Sequence, residues 1–188
     1  DIKAELGRYR MRGMSLFKKI PTWDDLTFMP GTLTRFVIEG YREKCETKTI
    51  IGQRFAKEPL ELDIPIYVSG MSYGALSRTA KTALGLGATK VGTATCTGDG
   101  GMLEEEREAS KKLIYQILPS RYGFDPHHLV TAQAIEFVVG QGAKPGTGGM
   151  LMGMKVRDDV AEQRGLPAGI DQRSPARHPC LLYTSDAA

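Results

Sequence analysis

The densest chemical signal in the chain is the run Gln-Gly-Ala-Lys-Pro-Gly-Thr-Gly-Gly at residues 141–149, which sets one lysine, Lys144, among four glycines and a proline. Glycine admits positive φ and lets backbone approach a ligand closely, proline stiffens the turn, and the lone amine becomes a fixed positive charge. The run follows an apolar stretch at residues 134–139 that reads as a buried strand, so the loop falls at a strand end. It is built to hold an anionic or electron-rich ligand. Taken alone, the same pattern also describes a glycine-rich surface turn with a solvated lysine.

The loop is not alone. Residues 64–69 read as a strand running into Gly-Met-Ser-Tyr-Gly-Ala-Leu-Ser (70–77), and residues 90–94 as a strand running into Thr-Cys-Thr-Gly-Asp-Gly-Gly (95–101). Three strand ends with polar, glycine-rich loops are how a (β/α) barrel assembles one active site from separate strands.

The elements that must position these loops alternate as parallel βαβ units do. Helices are expected at residues 77–86, with Ser77 as N-cap and Gly85 and Gly87 as the stop, and at 103–112, 126–132 and 157–164. A further strand is expected at 113–118. In the 103–112 helix, Glu104, Glu105, Glu106 and Glu108 precede Lys111 and Lys112, matching the helix dipole, and the charge run reads as a solvated face and not a metal site. Four βα units are legible where eight close a barrel. The expected fold is therefore α/β, the N-terminal part of a (β/α)8 TIM-type barrel over residues 61–179, after a helical or irregular lead-in at residues 1–60.

Bulk properties exclude several functions. The 188 residues carry 25 basic and 22 acidic side chains, and a net charge of +3 gives no reason to expect nucleic acid or a membrane surface. No apolar run reaches the ~20 residues that span a bilayer, and no signal-peptide pattern opens the chain, so a soluble, cytoplasmic protein is expected. Cys45, Cys96 and Cys180 have neither disulfide-framework nor zinc spacing. The last residues, 180–188, resemble the translation of a sequencing adapter, and the natural sequence is expected to stop near Pro179, leaving a fragment.

With these residues in view, the chain resembles the FMN-binding synthase domain of the glutamate synthase family, which includes stand-alone synthase subunits and subunits similar to N-methylglutamate synthase. The resemblance rests on Met-Ser-Tyr-Gly-Ala-Leu-Ser (71–77), Thr-Gly-Asp-Gly-Gly (97–101), Ser-Arg-Tyr-Gly (120–123) and the 141–149 loop, in that order, and covers roughly residues 50–179. It implies a barrel that binds FMN and reduces the 2-iminoglutarate formed from 2-oxoglutarate and ammonia or an amine.

Residue by residue, the resemblance places Met71 and Ser72 against the flavin ring and Lys144 beside flavin and substrate, with Gln141 on the same loop. It gives Asp99 a proton-transfer role toward the ammonia or amine nitrogen, and it sets Gly100, Arg121, Gln141 and Gly146 around the substrate. A bidentate arginine–carboxylate pair is the chemistry Arg121 offers, and a surface-turn arginine fits it equally. One departure stands out: Asp99 occupies the place of the family's usual glutamate, one methylene shorter, which leaves ammonia and methylamine both open. His127 and His128 read as capping or packing residues, and Cys96 as small-residue packing.

The family's iron–sulfur cysteines and flavin phosphate site would lie beyond Pro179. Consequently this segment alone is expected to bind FMN poorly, and ammonia or amine would come from solution or a glutaminase-type partner, with electrons from a reductase partner. Two other classes fit the pattern less well. A 2-hydroxy-acid-oxidase-type FMN barrel needs a histidine and an arginine on later strands, and a silent barrel scaffold would have no use for Lys144, Gln141 and Asp99.

Overall fold

The computed structural model describes residues 22–29, 31, 33–34, 44–138, 149–175 and 178. Gln141, Lys144 and Gly146 lie outside the described residues, as does the 180–188 tail. The chain divides into two compact units, Asp1–Glu46 and Thr47–Ala188. In the first, a 3-10 helix at Trp23–Asp25 is held by Asp25, whose carboxylate accepts from the Thr22 amide at 2.8 Å. The remaining elements belong to the second unit.

That unit opens with an antiparallel hairpin of β1 (Thr49–Ile51) and β2 (Leu60–Leu62), paired Thr49 to Leu62 and Ile51 to Leu60. The expectation of helix or irregular chain up to residue 60 is corrected here. Period-two alternation buries Leu60 and Leu62 on either side of exposed Glu61, and these two leucines join Ala94, Cys96 and Ile114 in a core cluster under one face of the main sheet.

The main sheet is parallel, in the order β3 (Thr95–Cys96), β4 (Leu113–Ile117), β5 (Ala134–Phe137), with Val68 added beside Thr95 by a single parallel bridge. Alternation along β4 splits the packing. Ile114 faces the hairpin leucines, whereas Leu113, Tyr115 and Ile117 pack with Met102, Leu129 and Ala132 on the helix side. The α/β arrangement with a parallel sheet is as expected from the sequence.

Two expected strands are shorter than their apolar runs. Of residues 64–69 only Val68 pairs: Pro65 has no N–H to give a ladder, and the Ile66 carbonyl is taken by the Thr93 hydroxyl. Residues 90–94 are not a strand, because α1 (Arg78–Val91) runs through both expected stop glycines and ends at Gly92, in the left-handed conformation at φ 76°. Gly85 is a packing position instead. A Cβ there would come 2.5 Å from Ser110 Oγ, where α1 lies against the end of α2 (Glu104–Ala109). The start of α1 is as expected, with Ser77 Oγ accepting from the Ala80 amide at 3.2 Å.

α3 (Pro126–Thr131) is capped by Asp125, which accepts from the His127 amide, and it carries Pro126 in its first turn. His127 and His128 thus sit in a capped first turn, and the His128 ring lies 5.7 Å from Tyr115. Beyond the 139–148 stretch, β6 (Met150–Leu151) pairs antiparallel with β7 (Gln172–Arg173) around α4 (Asp158–Arg164). Among the described residues no helix is long and apolar enough to cross a membrane.

Candidate active site

The turns after Val68, β3 and β4 meet at one end of the parallel sheet. Gly98, at φ 71°, is the point of closest approach: a Cβ on it would come 2.6 Å from the Met71 carbonyl carbon and 2.7 Å from the Ser72 nitrogen. Only glycine lets the second turn nest against the first. Within the first turn, the Ser72 carbonyl accepts from the Ala75 and Leu76 amides, so Met71 and Ser72 are held half-buried beside the second turn.

The third turn closes the group. Ser120 Oγ donates to Asp99 Oδ1 at 2.5 Å, and the Gly123 amide donates to the Arg164 carbonyl at 3.1 Å. Arg121 is exposed in this turn and stands at φ 50°, the only described non-glycine residue with positive φ. A long side chain in that region is strained, which marks the turn as constrained by its neighbours. The sequence-derived site residues Met71, Ser72, Asp99 and Gly100 are therefore brought together, with Arg121 on the adjoining turn.

The centre of the group is a residue that the sequence reading passed over. Arg164, on the last turn of α4, is 7% exposed. Its Nη1 donates to Gln172 Oε1 at 3.1 Å and its Nη2 to the Tyr73 carbonyl at 3.0 Å, while its guanidinium carbon lies 5.4 Å from the centre of the Tyr122 ring. Gly100 packs close over the group, its Cβ position 3.4 Å from Nε. Burial lowers the guanidinium's hold on its proton, and the nearby Asp99 carboxylate opposes that.

Around this guanidinium three buried polar atoms have no hydrogen-bond partner among the described residues: Arg164 Nε, Gln172 Nε2 and the Tyr122 hydroxyl. Leaving buried donors unmade costs about 1–3 kcal/mol each, so this cluster calls for an acceptor, a water or an anionic oxygen. The signal in the sequence was Arg164 standing on the apolar stripe of α4 with Val160 and Ala161, where a charge needs a reason.

Further toward the sheet, Gln116 Nε2 donates to Glu136 Oε1 at 2.5 Å, and the Tyr67 hydroxyl donates to Glu136 Oε2 at 3.0 Å. Glu136 lies inside the stretch read as a buried apolar strand, and it links β5 to β4 and to the segment leading into Val68 through polar contacts. Gly70 sits directly over Gln116, with a Cβ position 2.6 Å from its Nε2. The end of the sheet is thus lined by polar side chains, with the backbone at Gly70 packed on Gln116 and that at Gly98 packed on Met71 and Ser72. Met71 and Ser72, half-buried there, are the described residues that could border a planar cofactor.

One reading of the α2 charges is corrected. Glu104 and Glu108 are exposed and Glu105 pairs with Arg78 at 2.8 Å, but Glu106 is 2% exposed and pairs with Lys81 at 2.9 Å. Leu103, Glu106 and Ser110 form the buried stripe of that helix, so only part of the run is a solvated face. Cys96 is buried in the core cluster, and burial pushes its thiol up to about 12. His178 is buried against β4, its Nε2 3.4 Å from the Ile117 carbonyl oxygen. No cluster of metal-ligating side chains occurs among the described residues.

Strand-end turns that converge at one end of a parallel sheet are where α/β enzymes place their active sites. Comparison with known proteins is more specific. Residues 25–186 match the conserved region in glutamate synthase, and the chain belongs to that family. It is 58% identical over 176 residues to a glutamate synthase large subunit-like protein of Rhizobium meliloti (strain 1021), covering 94% of this chain and 40% of the relative. It is also 34% identical over 182 residues to an archaeal-type glutamate synthase (NADPH) of Thermotoga neapolitana, covering 87% and 36%. With the glutamate synthase (NADPH) large chain of Bacillus subtilis (strain 168) it shares 36% identity over 186 residues, covering 95% and 12%. The chain thus spans less than half the length of each of these relatives.

Proposed function

We infer that the site reduces 2-iminoglutarate, formed from 2-oxoglutarate and ammonia or an amine, to glutamate or an N-substituted glutamate, within a complete (β/α)8 barrel that holds FMN. The observation that carries this reading is the trio of unpartnered buried donors around Arg164, beside the turns that also hold Asp99, Met71 and Ser72. A dicarboxylate substrate needs its charge neutralised where water is excluded, and a planar guanidinium does so with two parallel hydrogen bonds.

Each described residue has a task in this reading. Arg164 Nε, Gln172 Nε2 and the Tyr122 hydroxyl take up one substrate carboxylate, and exposed Arg121 reaches the distal one. Asp99, oriented by Ser120, holds or releases a proton at the substrate nitrogen as the imine forms and is reduced. Met71 and Ser72 wall the flavin, and Gln141, Lys144 and Gly146 are assigned to flavin and substrate on the family resemblance. Reduced FMN, when bound, supplies the hydride. Electrons come from a reductase partner, NADPH being the donor named for several relatives, and nitrogen from solution or a glutaminase-type partner.

Asp99 is one methylene shorter than the family's usual glutamate, and this leaves room at the nitrogen for a substituent, so methylamine stands beside ammonia as a substrate. The test is to supply the full-length protein with FMN, 2-oxoglutarate and each amine in turn, and to identify the product by mass spectrometry. Glutamate or N-methylglutamate is expected. An enzyme that turns over neither amine with 2-oxoglutarate overturns the reading.

A further inference from the structure

Lys81 lies on α1 in a buried stripe with Gly85 and Ala88 and is 2% exposed. Its Nζ donates to the Thr97 carbonyl at 2.7 Å and the Met71 carbonyl at 3.0 Å, and it meets Glu106 Oε1 at 2.9 Å. An ammonium has three donors and no acceptor, so three oxygens saturate it, whereas a neutral amine would turn its lone pair toward one of them. The charge on Lys81 is therefore part of the arrangement, and Glu106 is what lets it stay buried.

The two carbonyls belong to different strand-end turns, those that nest at Gly98. A buried ion pair contributes little net stability, since apolar side chains of similar volume do as well or better. What apolar side chains cannot do is bond both carbonyls at once. A small void of about 10 Å³, bordered by Ser69, Met71, Cys96 and Glu106, adjoins the pair.

We propose that Lys81, held by Glu106, is a positioning residue that sets the spacing of the Met71–Ser72 and Thr97–Gly98 backbones from behind, and so the shape of the wall they form together. The proposal rests on the reading of that wall as part of the FMN site. It touches neither substrate nor cofactor.

The test uses the full-length protein with Lys81→Met and with the charge-free pair Lys81→Met/Glu106→Met, which avoids stranding a buried carboxylate. Hydrogen exchange is followed in residues 69–76 and 97–101 against residues 78–91 and 113–117, and FMN is titrated into apoprotein while its visible band is recorded. In the paired variant, α1 and β4 should keep their protection while the two turns lose it. The FMN dissociation constant should rise about tenfold or more with an altered band shape, as expected when a site slackens by a fraction of an ångström. Turns that stay protected, protection lost equally everywhere, or loosened turns with unchanged FMN affinity would each overturn the proposal. If the unsubstituted protein binds no FMN, the functional reading fails by itself, and the exchange pattern alone decides whether Lys81 spaces the turns.

Discussion

The Arg164 guanidinium donates through Nη2 to the carbonyl of Tyr73 at 3.0 Å, joining the end of α4 to the first strand-end turn across 91 residues of chain. The same side chain bonds Gln172 and faces Gly100, so one buried cation ties together the turns of Tyr73, Gly100 and Tyr122. Arg164→Lys keeps the charge and loses the planar fork. In the full-length enzyme it should raise KM for 2-oxoglutarate on the order of tenfold to a hundredfold, with a smaller fall in kcat. Steady-state kinetics read this directly, and an unchanged KM would remove Arg164 from the carboxylate site.

The two glycines inside α1 should respond oppositely to alanine. Gly87 is exposed with open space where a Cβ would go, so Gly87→Ala should stabilise by about 0.5–1 kcal/mol through helix propensity. Gly85→Ala places a Cβ 2.5 Å from Ser110 Oγ and 3.0 Å from the Ala109 Cβ, forcing α1 and α2 apart. It should destabilise by about 1–3 kcal/mol. Denaturant melts of the two variants give the comparison, and equal effects would mean that the α1–α2 contact is not tight.

Cysteine chemistry separates surface from core. Cys45 is exposed, whereas Cys96 is buried with its thiol pushed up to about 12, leaving on the order of one part in ten thousand as thiolate at pH 8. Iodoacetamide at pH 8 should label Cys45 in the folded protein and reach Cys96 only on unfolding, as peptide mass spectrometry would reveal. Rapid labelling of Cys96 in the native state would place it at the surface or in a redox role.

What was legible in the sequence is what local chemistry decides. Ser77 starts a helix as its side chain requires, Pro126 sits in the first turn of another, and the run expected as a strand at 113–118 is the central strand β4. The turns at 70–77 and 95–101, which hold Met71, Ser72, Asp99 and Gly100, converge at Gly98, while residues 141–148 of the third glycine-rich loop lie outside the described residues. What was not legible depends on partners distant in the chain. Lys81, Glu106 and Arg164 read as ordinary surface charges until the stripes they share with Gly85, Leu103 and Val160 are seen to be buried. Gly85 reads as a helix stop until Ser110 is found against it. Glu136 vanished into an apolar run because its partners, Tyr67 and Gln116, come from two distant segments, the chain before Val68 and β4.

The Tyr73 hydroxyl donates to Asp159 Oδ2 at 2.6 Å, and this bond with the Val160 amide holds the Asp159 carboxyl below its usual range. A carboxylate with a depressed pKa adds stability above its unfolded value, about 3.9, and loses that contribution as pH falls through its folded value. Tyr73→Phe should therefore lower Tm by a constant amount between pH 5 and 8, and the gap from the parent protein should close below about pH 4. A gap that persists undiminished at pH 2 would mean that the hydroxyl stabilises by other contacts.

The most direct test of the central claim is an anaerobic one on the full-length protein reconstituted with FMN. The flavin is reduced chemically, 2-oxoglutarate is added with ammonia or methylamine, and reoxidation is followed at the visible flavin band. Reoxidation that requires both the 2-oxo acid and the amine, and yields glutamate or N-methylglutamate in proportion to flavin turned over, is the predicted result. A protein that takes up no FMN, or whose reduced flavin is indifferent to 2-oxoglutarate and both amines, would contradict the account.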